Sequence, residues 1–248
     1  MYDNLYHLHI PKTGGIWLNS HVLNELRPSL DRASVPMRYD HGTWTDVKDS
    51  TYVVSILRDP AERLASHFAY SVKHFGPEHA DKRFNDRYRH LRLTTWRTEE
   101  IKEVTVDNFM WWVKDKEQYL SNYQSKFITY DKLNPMNGPL YLGDEGFTNL
   151  IVDRDLLDTN LKRVNLLIKN TQLTSQNIFV FREKILNDLG LPYIALAEPP
   201  LFKDSNTNSD STRLWNELST SQKDYLYSLN KIDSEIWNTD SYYWNDGK

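Results

Sequence analysis

The chain contains no cysteine, so no disulfide framework can staple it. A cytosolic location is the simplest reading of that absence. No apolar run approaches the roughly 20 residues that a bilayer-crossing helix needs. There is no internal repeat and no low-complexity tract. The first apolar run begins at about residue 5, so no signal peptide is expected ahead of it. A net charge of −4 argues against general nucleic-acid binding. What is present is 248 residues, 39% of them hydrophobic, enough to bury a core within one α/β domain spanning 1–248.

The most informative segment is LYHLHIPKTGG, residues 5–15. Leu5 to Ile10 read as a short strand that Pro11 stops. Gly14 and Gly15 let the backbone turn close to a ligand, and a helix is expected from about Ile16. A helix start aims unpaired N–H groups and the positive end of its dipole at whatever lies there. Lys12 adds a mobile charge and Thr13 a hydroxyl. The loop lacks the Gly-x4-Gly-Lys-Ser/Thr order of a Walker A sequence.

A second segment has the same logic. YVVSIL, residues 52–57, is a near-continuous, β-branched run of the kind buried parallel strands use. It leads into Arg58-Asp59-Pro60, where Asp59 suits a helix N-cap and Pro60 the first helical position. The following helix places Ala61, Leu64, Ala65, Phe68 and Ala69 on one face and Glu62, Ser66 and Tyr70 on another. Arg58 at the strand end and Ser66 about two turns along can together grip a phosphate, the arginine bidentately.

These two segments resemble those of sulfotransferases that use 3′-phosphoadenosine 5′-phosphosulfate (PAPS). IPKTGG is similar to that family's 5′-phosphosulfate loop, and ILRDPAERLASHF to its 3′-phosphate motif, in the family's order and spacing. Fainter similarity continues through SNYQSKFI (121–128), with Ser125 and Lys126 where the family has Thr and Arg. It reaches IFVFREKILNDLGL (178–191), which looks like a later strand and helix of the family, and a closing helix at about 219–237. The nearest subgroup is that of the heparan sulfate 2-O-sulfotransferases and their small bacterial and viral relatives. The resemblance implies a three-layer fold, a central parallel sheet flanked by helices, related to that of P-loop NTPases. It implies PAPS as sulfuryl donor, bound by Lys12, Thr13, Gly14, Gly15, Ile16, Trp17, Arg58 and Ser66. At Ile16 and Trp17 the chain departs from the small hydroxyl residues common in the family, so Trp17 either lines the nucleotide site or packs in the core.

Sulfuryl transfer, like phosphoryl transfer, asks the protein mainly to position reactants and to stabilise the leaving oxygen. Lys12 is the candidate for that oxygen, with the N–H groups of residues 13–17. No His/Asp/Glu spacing calls for a metal. The acceptor is expected to be a carbohydrate hydroxyl, by analogy with the subgroup, and its proton needs a base. His41, in YDHGTW (39–44), is the first candidate. The subgroup has a His-Gly-His segment here; this chain keeps His41 and Gly42 but has Thr43 for the second histidine. His41 is therefore either the base or an acceptor contact, with Asp40 or Asp46 as the base in the second case.

Other segments carry less. Six Lys/Arg between Lys82 and Arg97 either face an acidic acceptor or nucleotide, or form a solvated surface stretch. Helices are expected over 107–120 and over 156–169, loops over 131–155 and from Pro192 to Asp210, with Lys203 and Asn206 as further site candidates in the last. His7 and His9 read as packed, hydrogen-bonded strand residues. Two other functions remain open: a nucleotide-dependent kinase, disfavoured by the missing Walker order, and a non-catalytic nucleotide- or glycan-binding protein. Oligomeric state is not legible in the sequence.

Overall fold

The computed structural model describes residues 2–40, 44, 47–75, 101–130, 145–192 and 209–244. The described residues form four strands, β1 (Asn4–Leu8), β2 (Met37–Asp40), β3 (Thr51–Leu57) and β4 (Leu166–Lys169). They form one parallel sheet in the order β2-β1-β3-β4. Helices alternate with them: α1 (Gly15–Leu18) and α2 (Asn24–Arg32) after β1, and α3 (Pro60–Phe75) after β3. Next come α4 (Val106–Asp115), α5 (Glu117–Leu120), α6 (Tyr123–Thr129), α7 (Glu145–Thr148) and α8 (Arg154–Arg163). After β4 follow α9 (Asn177–Asp188), α10 (Ser209–Glu217), α11 (Thr220–Leu229) and α12 (Lys231–Trp237).

The two-residue period of a strand explains the layering. All seven residues of β3 are buried, but they point alternately to two separate cores. Val53 and Leu57 join Tyr6, Leu8 and Leu167 against Leu64 and Phe68 of α3, Phe109 and Trp112 of α4 and Phe127 of α6. Tyr52, Val54 and Ile56 join Leu5, Leu166 and Ile168 in the second core, packed against Val22, Leu26 and Leu30 and against Phe181, Ile185 and Leu186 of α9. The result is an α/β architecture with a parallel sheet flanked by helices on both faces, as expected. Among the described residues, no helix is long and apolar enough to cross a membrane.

Four elements differ from the sequence reading. β2 is an additional strand; the alternation in MRYD runs for only four residues, too short to mark a strand by period alone. The helix expected over 156–169 ends at Arg163, where Val164 becomes extended and β4 begins. Its leucines fit a 3.6-residue period, yet Leu166 to Ile168 are buried by pairing with β3. IFVF at 178–181, likened to a strand, lies inside α9, because Ile178, Phe181, Ile185 and Leu186 form one helical stripe. The closing helix is two helices, broken at Asn230.

Between α1 and α2 the helix widens to a π-turn, Asn19–Leu23. A π-turn shifts the backbone bonds to five-residue reach and displaces carbonyls from their usual donors. Here the His21 carbonyl is taken by Arg182, which donates from Nε at 3.1 Å and Nη2 at 2.6 Å. A fully buried arginine of α9 thus anchors the helix that carries the β1 loop.

Phe68 is wholly buried and its ring lies 5.5 Å from those of both Phe109 and Trp112. Phe68→Ala is expected to destabilise the fold by about 3–5 kcal/mol in denaturant unfolding. Ile151→Ala, at a position 88% exposed, should stay within about 0.5 kcal/mol of wild type.

Candidate functional site

In the order β2-β1-β3-β4 the chain leaves β1 to one side, toward β2, and returns to its other side as β3. Such a reversal opens a crevice at the C-terminal ends of the two strands, the usual ligand position in open parallel α/β sheets. The loop after β1 carries Lys12 and the corner after β3 carries Arg58, so both flank that crevice.

The β1 loop is tightly built. The Thr13 hydroxyl donates to the Ile10 carbonyl at 2.9 Å and closes the turn. Lys12 adopts a left-handed backbone, φ 69°, a conformation costing an L-residue roughly 1–2 kcal/mol and often found where function constrains the chain. Gly14 has φ 112°, and a Cβ there would lie 2.4 Å from Leu173 Cδ1. At Gly15 a Cβ would lie 2.1 Å from the His9 ring. Gly14 is therefore required by its left-handed backbone, and at Gly15 it is the His9 ring that leaves no room for a Cβ. His9 stacks on His7 at 5.1 Å, and His7 Nδ1 hydrogen-bonds Asn19 Oδ1 at 2.7 Å. These two histidines brace the loop, as the sequence suggested.

The β3 corner is held as firmly. Asp59 is the helix cap: its Oδ1 accepts from the N–H groups of Ala61 and Glu62, both at 3.0 Å. Its other oxygen accepts from the Tyr227 hydroxyl at 3.0 Å. The Arg58 guanidinium lies 3.5 Å from Glu62, and its Nε is buried without a hydrogen-bond partner among the described residues. Burial pulls the Arg58 pKa down, against the opposing pull of Glu62.

Glu62, Ser66 and Tyr70 are four residues apart on α3 and share one helix face. Glu62 touches Arg58, while the Tyr70 ring carries the Lys12 ammonium 3.9 Å from its centre. Ser66 lies between these contacts, buried at 7% exposure. The sequence placed Ser66 on a face turned away from the core; Ser66 itself is buried on that face, between the partly exposed Glu62 and Tyr70 that touch Arg58 and Lys12.

Lys12 is the most perturbed group at the site. Burial, and then the nearby positive charge of Arg58, lower its pKa from 10.5 to about 8. Among the described residues no carboxylate pairs with it, and the face of Tyr70 is its principal support. Two cations held close together and partly dehydrated form a receptor for an anion. The N–H groups of Gly15, Ile16 and Trp17, at the start of the helical run, lack intrahelical acceptors and add to it.

Of the remaining predicted residues, Thr13 has its hydroxyl proton committed to the Ile10 carbonyl, which leaves its backbone to serve a ligand. Ile16 is 63% exposed. Trp17 is partly buried, stacks edge-on with His21 at 5.2 Å and packs against the second core. Asp40 ends β2 opposite Leu8, at the same sheet edge as the crevice. His41, Asp46, Lys203, Asn206 and the basic stretch from Lys82 to Arg97 lie outside the described residues. Lys126 is an interior strut: its ammonium donates to the carbonyls of Gln118 at 2.6 Å and Thr148 at 3.0 Å, and burial brings its pKa to about 8. His67 is buried and held neutral, its pKa well below 6.5 through burial first and then the charges of Arg63 and Lys12. Tyr70 as the partner of Lys12 was not legible in the sequence, although its four-residue spacing from Ser66 was visible. Comparison with protein-family models, with curated proteins and with solved structures gives no match.

An anion bound at this site favours charged Lys12. Below about pH 8 that charge is already present; above it, binding must take up a proton. Sulfate affinity, measured by calorimetry, is expected to be flat below pH 8 and to fall up to about tenfold per unit above it. Lys12→Met should abolish the break. Glu62→Gln removes the carboxylate that competes for Arg58 and should raise sulfate affinity about two- to fivefold in the same titration.

Proposed function

We propose that the protein is a PAPS-dependent sulfotransferase acting on an acceptor hydroxyl, with a carbohydrate as the acceptor class. The observation that carries the reading is the pairing of Lys12 and Arg58, two desolvated cations without a full counter-charge at the crevice between β1 and β3. PAPS bears anionic groups at both ends of an adenosine, and two cation-bearing turns on adjacent strands suit such a molecule.

In this reading Lys12 and the N–H groups of Gly15, Ile16 and Trp17 hold the 5′-phosphosulfate, and Arg58 with Ser66 holds the 3′-phosphate. A guanidinium can grip a phosphate through two parallel hydrogen bonds. Glu62, at 3.5 Å from Arg58, would yield to the phosphate or share the guanidinium with it. Gly14 and Gly15 keep the wall flat, since a side chain at either would meet Leu173 or His9.

The acceptor oxygen bonds to sulfur as the bond from sulfur to the bridging phosphate oxygen breaks. Charge grows on that leaving oxygen, and the Lys12 ammonium is the group placed to neutralise it. With a pKa of about 8, Lys12 can also pass a proton to the leaving oxygen near neutral pH. The acceptor's own proton goes to a base. His41 is the first choice and Asp40 the second; β2 brings the Asp40 backbone to the same sheet edge as the crevice.

The test is calorimetric binding of 3′-phosphoadenosine 5′-phosphate, the desulfated product, compared with ADP and ATP without metal. Preference for the 3′-phosphorylated nucleotide by about tenfold or more, lost in Arg58→Ala, is expected. Equal binding of the three, or ATP binding that requires metal, would refute the reading. Tight product binding with no sulfuryl transfer from PAPS to any glycan would leave a binding protein rather than an enzyme.

A further inference from the structure

Arg58 is the first residue beyond the β3 ladder, whose last pair is Leu57 with Lys169. Its peptide groups therefore fall outside the sheet, at a place too buried for water to serve them freely. The side chain of Gln124 serves both. Its Oε1 accepts from the Arg58 N–H at 3.0 Å and its Nε2 donates to the Arg58 carbonyl at 2.8 Å. A single side-chain amide thus replaces the missing neighbouring strand. Gln124 is 1% exposed and is itself fixed from behind. Its N–H donates to Asp233 Oδ2 at 2.9 Å, while Asp233 Oδ1 accepts from the Ser125 N–H at 2.8 Å and from the Ser125 hydroxyl. Asn122, two residues earlier, locks the same segment to α12: its N–H donates to Asn230 Oδ1 at 3.0 Å, and its Oδ1 accepts from the Ile232 N–H at 2.8 Å.

We infer that Gln124 is a positioning residue for the Arg58 guanidinium, rather than only a support for the fold. A two-point contact on the two peptide groups that flank the Arg58 Cα sets the direction of its Cα–Cβ bond. Such a contact fixes where the side chain starts, and Glu62 restrains where it ends. Ordering the arginine before the ligand arrives removes an entropic cost from binding. Without Gln124 the corner would keep its Asp59 cap but lose the clamp on Arg58 itself. The inference rests on the anion-binding reading of Arg58 and adds to it the residue that prepares the arginine.

Two measurements test it on the full chain. The first follows the Arg58 Nε–H signal by ¹⁵N relaxation in the ligand-free protein. It is expected to be ordered in wild type and averaged in Gln124→Met, with the Asp59-capped helix unchanged. An Nε–H equally ordered in the variant would overturn the proposal, whatever the protein binds. The second is calorimetry with 3′-phosphoadenosine 5′-phosphate and with adenosine 5′-phosphate, which lacks the 3′-group. Gln124→Met should weaken the first by about tenfold and the second by less than about twofold, with no further loss in an Arg58→Ala background. Equal losses for both ligands, or losses that add to those of Arg58→Ala, would mean a merely structural role. If wild type ignores the 3′-phosphate while the variant still loses Arg58 order, the sulfotransferase reading fails and the positioning role stands. Gln124→Glu keeps the acceptor for the Arg58 N–H but not the donor for its carbonyl. It gives an intermediate effect on both readouts, and it carries the test if the Met variant does not fold.

Discussion

The pairing of β1 with β3 is the constraint on which the rest depends. Leu5 to Leu8 lie in register with Tyr52 to Ser55, and the two strands end side by side although more than forty residues separate them in the chain. The Ser55 hydroxyl donates to the Leu8 carbonyl at 2.9 Å, extending the pairing to the last residues before the crevice. Every feature of the candidate site follows from this adjacency: the closeness of Lys12 to Arg58, the lowered pKa of Lys12, and the use of one face of α3 to line both.

Holding two cations there is unfavourable by itself, and the fold supplies the compensation from several directions. Tyr70 lends the Lys12 ammonium an aromatic face, and Glu62 lends Arg58 a carboxylate. Neither contact is a close ion pair in a dry interior, so neither removes the attraction for an external anion. The contrast with Lys126 is instructive. Its ammonium is also desolvated, but carbonyl oxygens from α5 and α7 saturate it, and it has nothing left to offer a ligand.

A second buried network backs the first. Asp233 of α12 is wholly enclosed, and burial raises its pKa while hydrogen bonds from Ser125 and the backbone at Gln124 and Ser125 pull the other way. Through Gln124 it reaches Arg58; its field also acts on Arg63, which lies over the Tyr123 ring at 4.1 Å. Polar groups so deep in a core stay put only when their partners are in place. This ties the closing helices of the chain to the corner that carries Arg58, and explains why the polar Gln124 and Ser125 are buried.

Much of this was legible in the residues. The apolar runs at 5–10 and 52–57, the glycine pair, the Asp59-Pro60 helix start and the apolar stripe from Ala61 to Ala69 each depend on local periodicity and turn chemistry, which neighbours in sequence determine. The same rules misjudged Leu166 to Lys169 and IFVF at 178–181, because short leucine- and phenylalanine-rich stretches satisfy helix and strand patterns alike. Only pairing with β3 or packing on the second core decides between them. By itself the sequence determined that two cation-bearing turns would follow two buried strands. It could not determine that those turns meet, that Tyr70 faces Lys12, or that Gln124 holds the peptide of Arg58. Those are contacts between residues far apart in the chain, and they exist only once the strand order β2-β1-β3-β4 has brought their backbones together.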